Sequence, residues 1–324
     1  MFALIGIPPQ ALFGQLLLGL INGSFYAMLS LGLALIFGLL NVVNFAHGAQ
    51  YMLGAYVAWL GMTYAGINYW LALLLAPLVV GSFGLVMERL LLRRLYELDH
   101  LYGLLLTFGL ALIIEGLFRQ AYGISGQPYS IPVQLSGGKN LGFMFLPNYR
   151  AWVVVFSVAL CLVTWLIIEK TKLGSYLRAG TENPTLVQAF GINVPRMVTL
   201  TYGFGVALAA MAGVLAAPIY QVKPTMGADM VIVVFAVVVI GGMGSIVGSF
   251  FGAAFIVILP IFLNQMLPLV GSLFGLEVSI ALVSHVEIMV FGALIIFFLI
   301  VEPHGLARLW ATGREKLRLW PFPH

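Results

Sequence analysis

Charge is what this chain lacks. Only 8% of its 324 residues are Asp, Glu, Lys or Arg, against 62% hydrophobic, and its mean hydropathy is +1.07. A soluble domain carries about 25% charged residues. No water-surrounded core hides this much apolar surface, so the solvent is lipid. There is not one charged side chain from Met1 to Met87. The formal charge of +4 comes from basic residues scattered between apolar runs, which excludes a nucleic-acid-binding face. A single cysteine, Cys161, rules out a disulfide within the chain and a metal site built on thiolates. No basic stretch precedes the first apolar run, so a cleaved signal peptide is not expected.

Several motors and chemistries are absent too. A P-loop needs Gly-Lys followed by Ser or Thr, so that backbone amides and the lysine hold the phosphates. The only lysine followed by either residue is Lys170, before Thr171, and Glu169 precedes it. There is no HExxH, no GxSxG, no TVGYG filter and no ladder of arginines. The apolar segments hold no chain of acids to relay protons or coordinate sodium. An intramembrane enzyme built on His47 or His100 has no acid to pair with His47, and His100 beside Asp99 reads as a solvated loop. What remains is a transport subunit driven from outside or, as the alternative, a self-contained channel or facilitator for a small polar solute.

What is present is a series of apolar segments. About 20 apolar residues cross the ~30 Å hydrocarbon layer. That rule places spans near 11–40, 46–65, 69–87, 101–121, 151–168, 197–219, 229–241, 246–266 and 285–301. The first is long enough to tilt, kink or make one and a half crossings, and the seventh runs into the eighth, so eight to ten spans are expected. The fold class is all-α, a polytopic transmembrane bundle forming one domain over 1–324. Arg89, Arg93 and Arg94 fall in one loop, Lys170, Lys172, Arg178 and Arg196 in a second, and Arg308, Arg314, Lys316 and Arg318 in the C-terminal tail. The span order puts all three on one side, and the positive-inside rule makes that side, with the C-terminus, cytoplasmic.

The stretch from Asn41 to Tyr56 interrupts this pattern. Asn41, Asn44, His47, Gly48 and Gln50 crowd into ten positions between two membrane-grade segments. Non-helical backbone at membrane depth survives only where protein or water satisfies it. A polar break in an apolar segment points to a transport path. Asn41, Asn44, Phe45, His47, Gly48 and Gln50 are therefore candidates for lining or gating it. The plainer alternative is that they satisfy freed backbone groups or cross-link two helices.

Three further stretches stand out. Segment 122–150, with Gly123, Gly126, Pro128, Pro132, Gly137, Gly138 and Pro147, reads as an ordered, turn-rich external loop. Segment 169–196 is the longest polar stretch between spans. Within it Thr181 is expected to cap a short helix, followed by Glu182, Asn183 and Pro184 in the first turn. Leu186, Val187 and Phe190 form its apolar face and Gly191 ends it. Such an element suits docking on a cytoplasmic partner. In the run from Gly241 to Ala254 the pair Gly241-Gly242 is read as breaking a span, and Gly244, Gly248 and Gly252 as one stripe for a close helix crossing. The breaks near 48 and 241 could be corresponding points of an internal repeat. Glu115 and Arg119 are spaced to pair on a helix, Asp229 opens a span, and Glu287 sits near the start of the last.

These stretches resemble a known family. GLINGSFYAMLSLGLALIFGLLNVVNFAHGAQYMLGAYVA, RAGTENPTLVQAFGINVPR with the following AGVLAAP, and VVVIGGMGSIVGSFFGA are similar to permease subunits of bacterial branched-chain amino acid ABC importers, of LivH type. Asn44-Phe45-Ala46-His47-Gly48 is the most specific piece. The chain departs from the family in having Ala49, then Gln50, where Glu commonly follows. The resemblance implies an inner-membrane subunit with no bound cofactor of its own. It implies a second permease of LivM type (or a second copy), two cytoplasmic ATPases that use ATP, and a periplasmic substrate-binding protein. Residues 181–191 would couple the chain to an ATPase. Urea, short amides and organic acids are solutes of related permeases.

Overall fold

The computed structural model describes residues 9–40, 44–96, 98–142, 144–273, 275, 279–302 and 305–319. It is helical almost throughout. In chain order the helices are α1 (Pro9–Leu40), α2 (Ala46–Ala65), α3 (Tyr69–Leu90), α4 (His100–Tyr122), α5 (Asn148–Lys170), α6 (Lys172–Glu182), α7 (Pro184–Ala189), α8 (Val194–Tyr220), α9 (Met226–Gly241), α10 (Ile246–Leu273), α11 (Ile280–Val301) and α12 (Gly305–Leu319). Among the described residues seven helices are long and apolar enough to cross a membrane, namely α1, α3, α4, α5, α8, α10 and α11. The 20-residue α2 and the 16-residue α9 fill the other two expected positions, inside the bundle.

The first segment is one continuous helix of 32 residues. At 1.5 Å per residue it is about 48 Å long, more than a bilayer core needs. It does not break before Leu40. The axis of the bundle is α1 and α8, the most buried of the long helices, with α2 lodged against α8, α3, α4 and α9. Twelve of the twenty residues of α2 are buried. Small residues allow this proximity. A Cβ at Gly48 would strike the Gly227 carbonyl of α9, and one at Gly213 would strike the Tyr51 carbonyl of α2. Backbones in contact gain dispersion that lipid tails cannot supply. By contrast α4 and α11 turn most of their surface outward.

The turn-rich segment between α4 and α5 is ordered. Gly138–Asn140 (β1) pairs antiparallel with Phe145–Pro147 (β2), and Gln127 bridges to Val222 with N···O distances of 2.7 and 2.9 Å. A two-stranded ribbon this short was not foreseen, because three-residue strands carry no alternation to read. At the opposite end, the basic loop after α3 meets α6 and α7 across one groove, and Gly305 of α12 lies on Gly241 and Gly242. The three basic stretches therefore share one end of the bundle.

The second glycine-rich break is real but arranged differently from expectation. Gly242 caps α9 with φ of 112° and Gly244 has φ of 81°, both in the left-handed half of backbone space where a Cβ is strained. Gly244 thus lies in the turn before α10, not on a helical stripe with Gly248 and Gly252. It faces Gly38 of α1, where an added Cβ would come within 3.1 Å of its Cα. Gly248 and Gly252 do face α9, packed on Gly241 and Val237.

Candidate functional site

The polar break folds inward. The Asn44 Oδ1 accepts from the backbone N–H of Ala46 at 3.1 Å, which opens α2. Its amide nitrogen donates to Gln50 Oε1 at 3.2 Å and to the Tyr202 hydroxyl at 3.1 Å. Gln50, farther along α2, donates to the same hydroxyl at 3.2 Å and lies 3.8 Å from the Met87 sulfur. Tyr202 belongs to α8 and Met87 to α3, so one phenol ties three helices and the break together. All of these side chains are buried. A buried amide without partners costs about 1–3 kcal/mol, and mutual bonding removes that cost.

His47 serves a different neighbour. Its Nε2 lies 3.0 Å from the Leu29 carbonyl of α1, so this nitrogen carries the proton and donates. Gly32 makes the approach possible, since a Cβ there would stand 3.0 Å from the imidazole Cε1. The Phe45 N–H donates to Thr107 Oγ1 of α4 at 3.2 Å, and its ring meets Phe108 of α4 edge-on and stacks on Phe235 of α9. Asn41 lies outside the described residues. Asn44, Phe45, His47, Gly48 and Gln50 line none of five cavities among the described residues. The amides of Asn44 and Gln50 and the Nε2 of His47 bond to protein, while the buried Nδ1 of His47 has no hydrogen-bond partner among the described residues.

Two members of this region were not foreseen. Tyr202 looks like one aromatic among many in an apolar run, and only the crossing of α8 with α2 gives it a role. Glu88 follows Met87 and reads as an acid at a span end, yet it is fully buried. Its Oε1 accepts from the Tyr96 hydroxyl at 2.7 Å. Burial, then the bond to the Glu88 carboxylate, pushes the Tyr96 phenol well above its ordinary value, so it stays a proton donor at any physiological pH.

At the basic end, 169–196 is not a loop carrying one short helix but two helices in succession, α6 and α7. The cap differs from expectation. Thr181 is inside α6, its hydroxyl donating to the Arg178 carbonyl at 2.7 Å, and Glu182 ends that helix. Asn183 caps α7 instead, accepting from the Leu186 N–H at 3.0 Å, with Pro184 in the first turn. The chain turns at Asn183 because its extended φ of −145° precedes a proline, which disfavours helix at the residue before it. Val187 is buried on the body of the protein, whereas Leu186 and Phe190 are 54% and 77% exposed. Gly191 follows with φ of 82°. Two large apolar side chains, four residues apart, thus stand out from a polar surface.

Elsewhere Glu115 and Arg119 pair as their spacing suggests, and Asp229 gains a partner that its position alone did not indicate. Arg119 binds Glu115 at 2.6 Å, and Lys223 reaches Asp229 in the first turn of α9 at 2.7 Å.

Crossing helices of membrane length, an internal break tied by amides, and short amphipathic helices at one end define a polytopic membrane transport component. Sequence comparison gives the particular family. The chain belongs to the permease components of branched-chain amino acid transport systems, whose family profile matches residues 15–299. It is 30% identical over 256 residues to the high-affinity branched-chain amino acid transport system permease protein BraD of Pseudomonas aeruginosa, covering 74% of this chain and 81% of that one. It is 28% identical to LivH of Escherichia coli strain K12 over the same shares, and 31% identical to the probable LivH of Methanocaldococcus jannaschii over 72% and 75%. No solved structure matches.

Proposed function

We propose that this chain forms one wall of an importer for branched-chain amino acids, working beside a second permease of LivM type or a second copy of itself. Two ATPases on the cytoplasmic side supply the power stroke, and a periplasmic binding protein delivers the solute. The basic end, with α6, α7, α12 and the C-terminus, faces the cytoplasm of a bacterial inner-membrane protein. Hydrolysis belongs to the partners, and the chain holds no nucleotide or other cofactor. The observation that carries the partner assignment is the exposed pair of Leu186 on α7 and Phe190 at its C-terminal cap, beside Val187, which docks that helix on the body of the protein. Thr181, Glu182 and Asn183 lead into that helix and Gly191 turns out of it. In this reading the cluster of Asn44, His47 and Gln50 is a rigid fulcrum beside the path. Phe45 and Gly48 keep α2 against α4 and α9 there, and Gly241 with Gly242 is a second pivot.

The test is transport by the reconstituted complex with its ATPases. Leu186→Asp with Phe190→Ala should leave ATPase activity in place and abolish leucine import, and crosslinks from residue 190 to an ATPase should form in the wild-type background. Gly191→Pro should uncouple the same way, because proline holds φ near −65° where the chain needs the opposite sign. Import at the normal rate in these variants would remove the coupling assignment.

A further inference from the structure

Glu287 is placed where a lone carboxylate is costly. It is the eighth residue of α11, about 10 Å into a membrane-length helix. A charge at such depth normally faces a partner or a water-filled path. No ion pair or hydrogen bond joins Glu287 to another described residue, whereas Arg119, Arg178, Lys223 and Arg308 each have an acid elsewhere. Glu287 instead lines a cleft of about 380 Å³ between α1, α9, α10 and α11.

The walls of that cleft carry several polar side chains at membrane depth. Gln15, Asn22 and Tyr26 face it from α1, and Asn264 from α10. Asn22 makes no hydrogen bond to another described residue. Gln15 accepts from Gln265 at 2.8 Å through its oxygen, leaving its own amide N–H groups available. Asn264 uses one N–H on the Pro260 carbonyl at 2.9 Å and keeps a second. The rest is apolar: valine and isoleucine side chains of α9 and α10, Pro260, Phe291, and Leu18 and Gly19 of α1. One acid, several amide donors and an aliphatic surface therefore share a space sized for one small solute. The groove on the other side of α1, against α5, has an almost wholly apolar lining and offers no such set.

We propose that this cleft is a solute-binding stretch of the transport path for a zwitterionic amino acid with an aliphatic side chain. The Glu287 carboxylate takes the ammonium group, the amides of Asn22, Gln15 and Asn264 take the carboxylate, and the aliphatic wall takes the side chain. The proposal rests on the amino acid reading above and specifies which residues of this chain meet the solute. It also places the path about α1, α10 and α11 rather than at the buried break.

The experiment uses the complete importer in proteoliposomes, with Cys161→Ala as background. Glu287→Gln keeps shape and hydrogen bonding but removes the charge. It should lower leucine import about tenfold or more, as expected for loss of a charge-assisted bond, while leucine affinity of the isolated binding protein stays unchanged. A second arm reads the cleft without transport. Asn22→Cys should react several-fold faster with an ammonium-bearing thiosulfonate than with a sulfonate-bearing one. Adding Glu287→Gln should erase that preference, which a purely structural role would not do. Import within twofold of wild type in Glu287→Gln, or equal labelling by the two reagents in the Asn22→Cys protein, overturns the proposal. A wild-type complex that imports no branched-chain amino acid overturns the substrate reading instead, and the labelling arm then still decides whether Glu287 sets the charge of the cleft.

Discussion

Replacing Tyr202 by Phe isolates one hydroxyl at the centre of the bundle. The ring remains, so no cavity opens and packing between α8, α2 and α3 is kept. Lost are the acceptor for Asn44 at 3.1 Å and for Gln50 at 3.2 Å. Asn44 keeps its bond to the Gln50 oxygen, and the Gln50 amide nitrogen keeps only the long approach to the Met87 sulfur. Buried hydrogen bonds contribute about 0.5–1.5 kcal/mol each, and bonds between membrane helices average about 0.6. Two of them make about 1–3 kcal/mol. The assay is thermal or denaturant unfolding in detergent, followed by the tryptophans, alongside import per folded complex. Tyr202→Phe should lower stability by that amount and leave the import rate of folded complexes within about twofold. Combining it with Gln50→Leu should cost less than the two changes added, since both remove the same bond. If Tyr202→Phe leaves stability intact and abolishes import, the cluster is part of the solute path and the fulcrum reading is wrong.

Other changes test other contacts. Gly48→Ala drives a methyl into the Gly227 carbonyl, so it should destabilise by more than about 2 kcal/mol and reduce folded yield, while Gly116→Ala on the outward face of α4, with nothing near its side, should not. Asn183→Ala removes the cap of α7 and should cost about 1 kcal/mol locally, seen as faster amide exchange over 185–190 and weaker coupling at unchanged ATPase rate. Tyr96→Phe leaves the buried Glu88 carboxyl without its donor, so it should lower stability by about 1–3 kcal/mol, read by denaturant unfolding in detergent, with import per folded complex near wild type.

Much of the architecture was legible because lipid imposes its own arithmetic. A membrane span must be apolar for its whole length, so segment positions, the basic end and the break after α1 could be read directly. The site was less legible, for reasons particular to each residue. Asn44, His47 and Gln50 announce a polar cluster, but the phenol that Asn44 and Gln50 share, Tyr202, lies 158 and 152 residues away from them, and His47 turns instead to the Leu29 carbonyl of α1. No local pattern links them. Thr181 and Asn183 are equally good caps by residue type, and the turn before Pro184 decides between them. Gly244 fits a four-residue stripe on paper, yet α10 begins two residues later at Ile246. Glu287 and Asn22 look like isolated polar residues until four helices form one cleft around them.

The contact of α1, α2 and α8 through glycine and alanine has a bearing on how such a chain can change over time. Where backbones touch, even one methyl group has nowhere to go, so the inner axis must be nearly frozen against drift. The outward faces of α4 and α11, bounded only by fluid hydrocarbon, can exchange one greasy residue for another with little penalty. Freedom to vary should therefore rise with distance from α8, and new solute preferences should arise from the middle ring of helices rather than from either extreme.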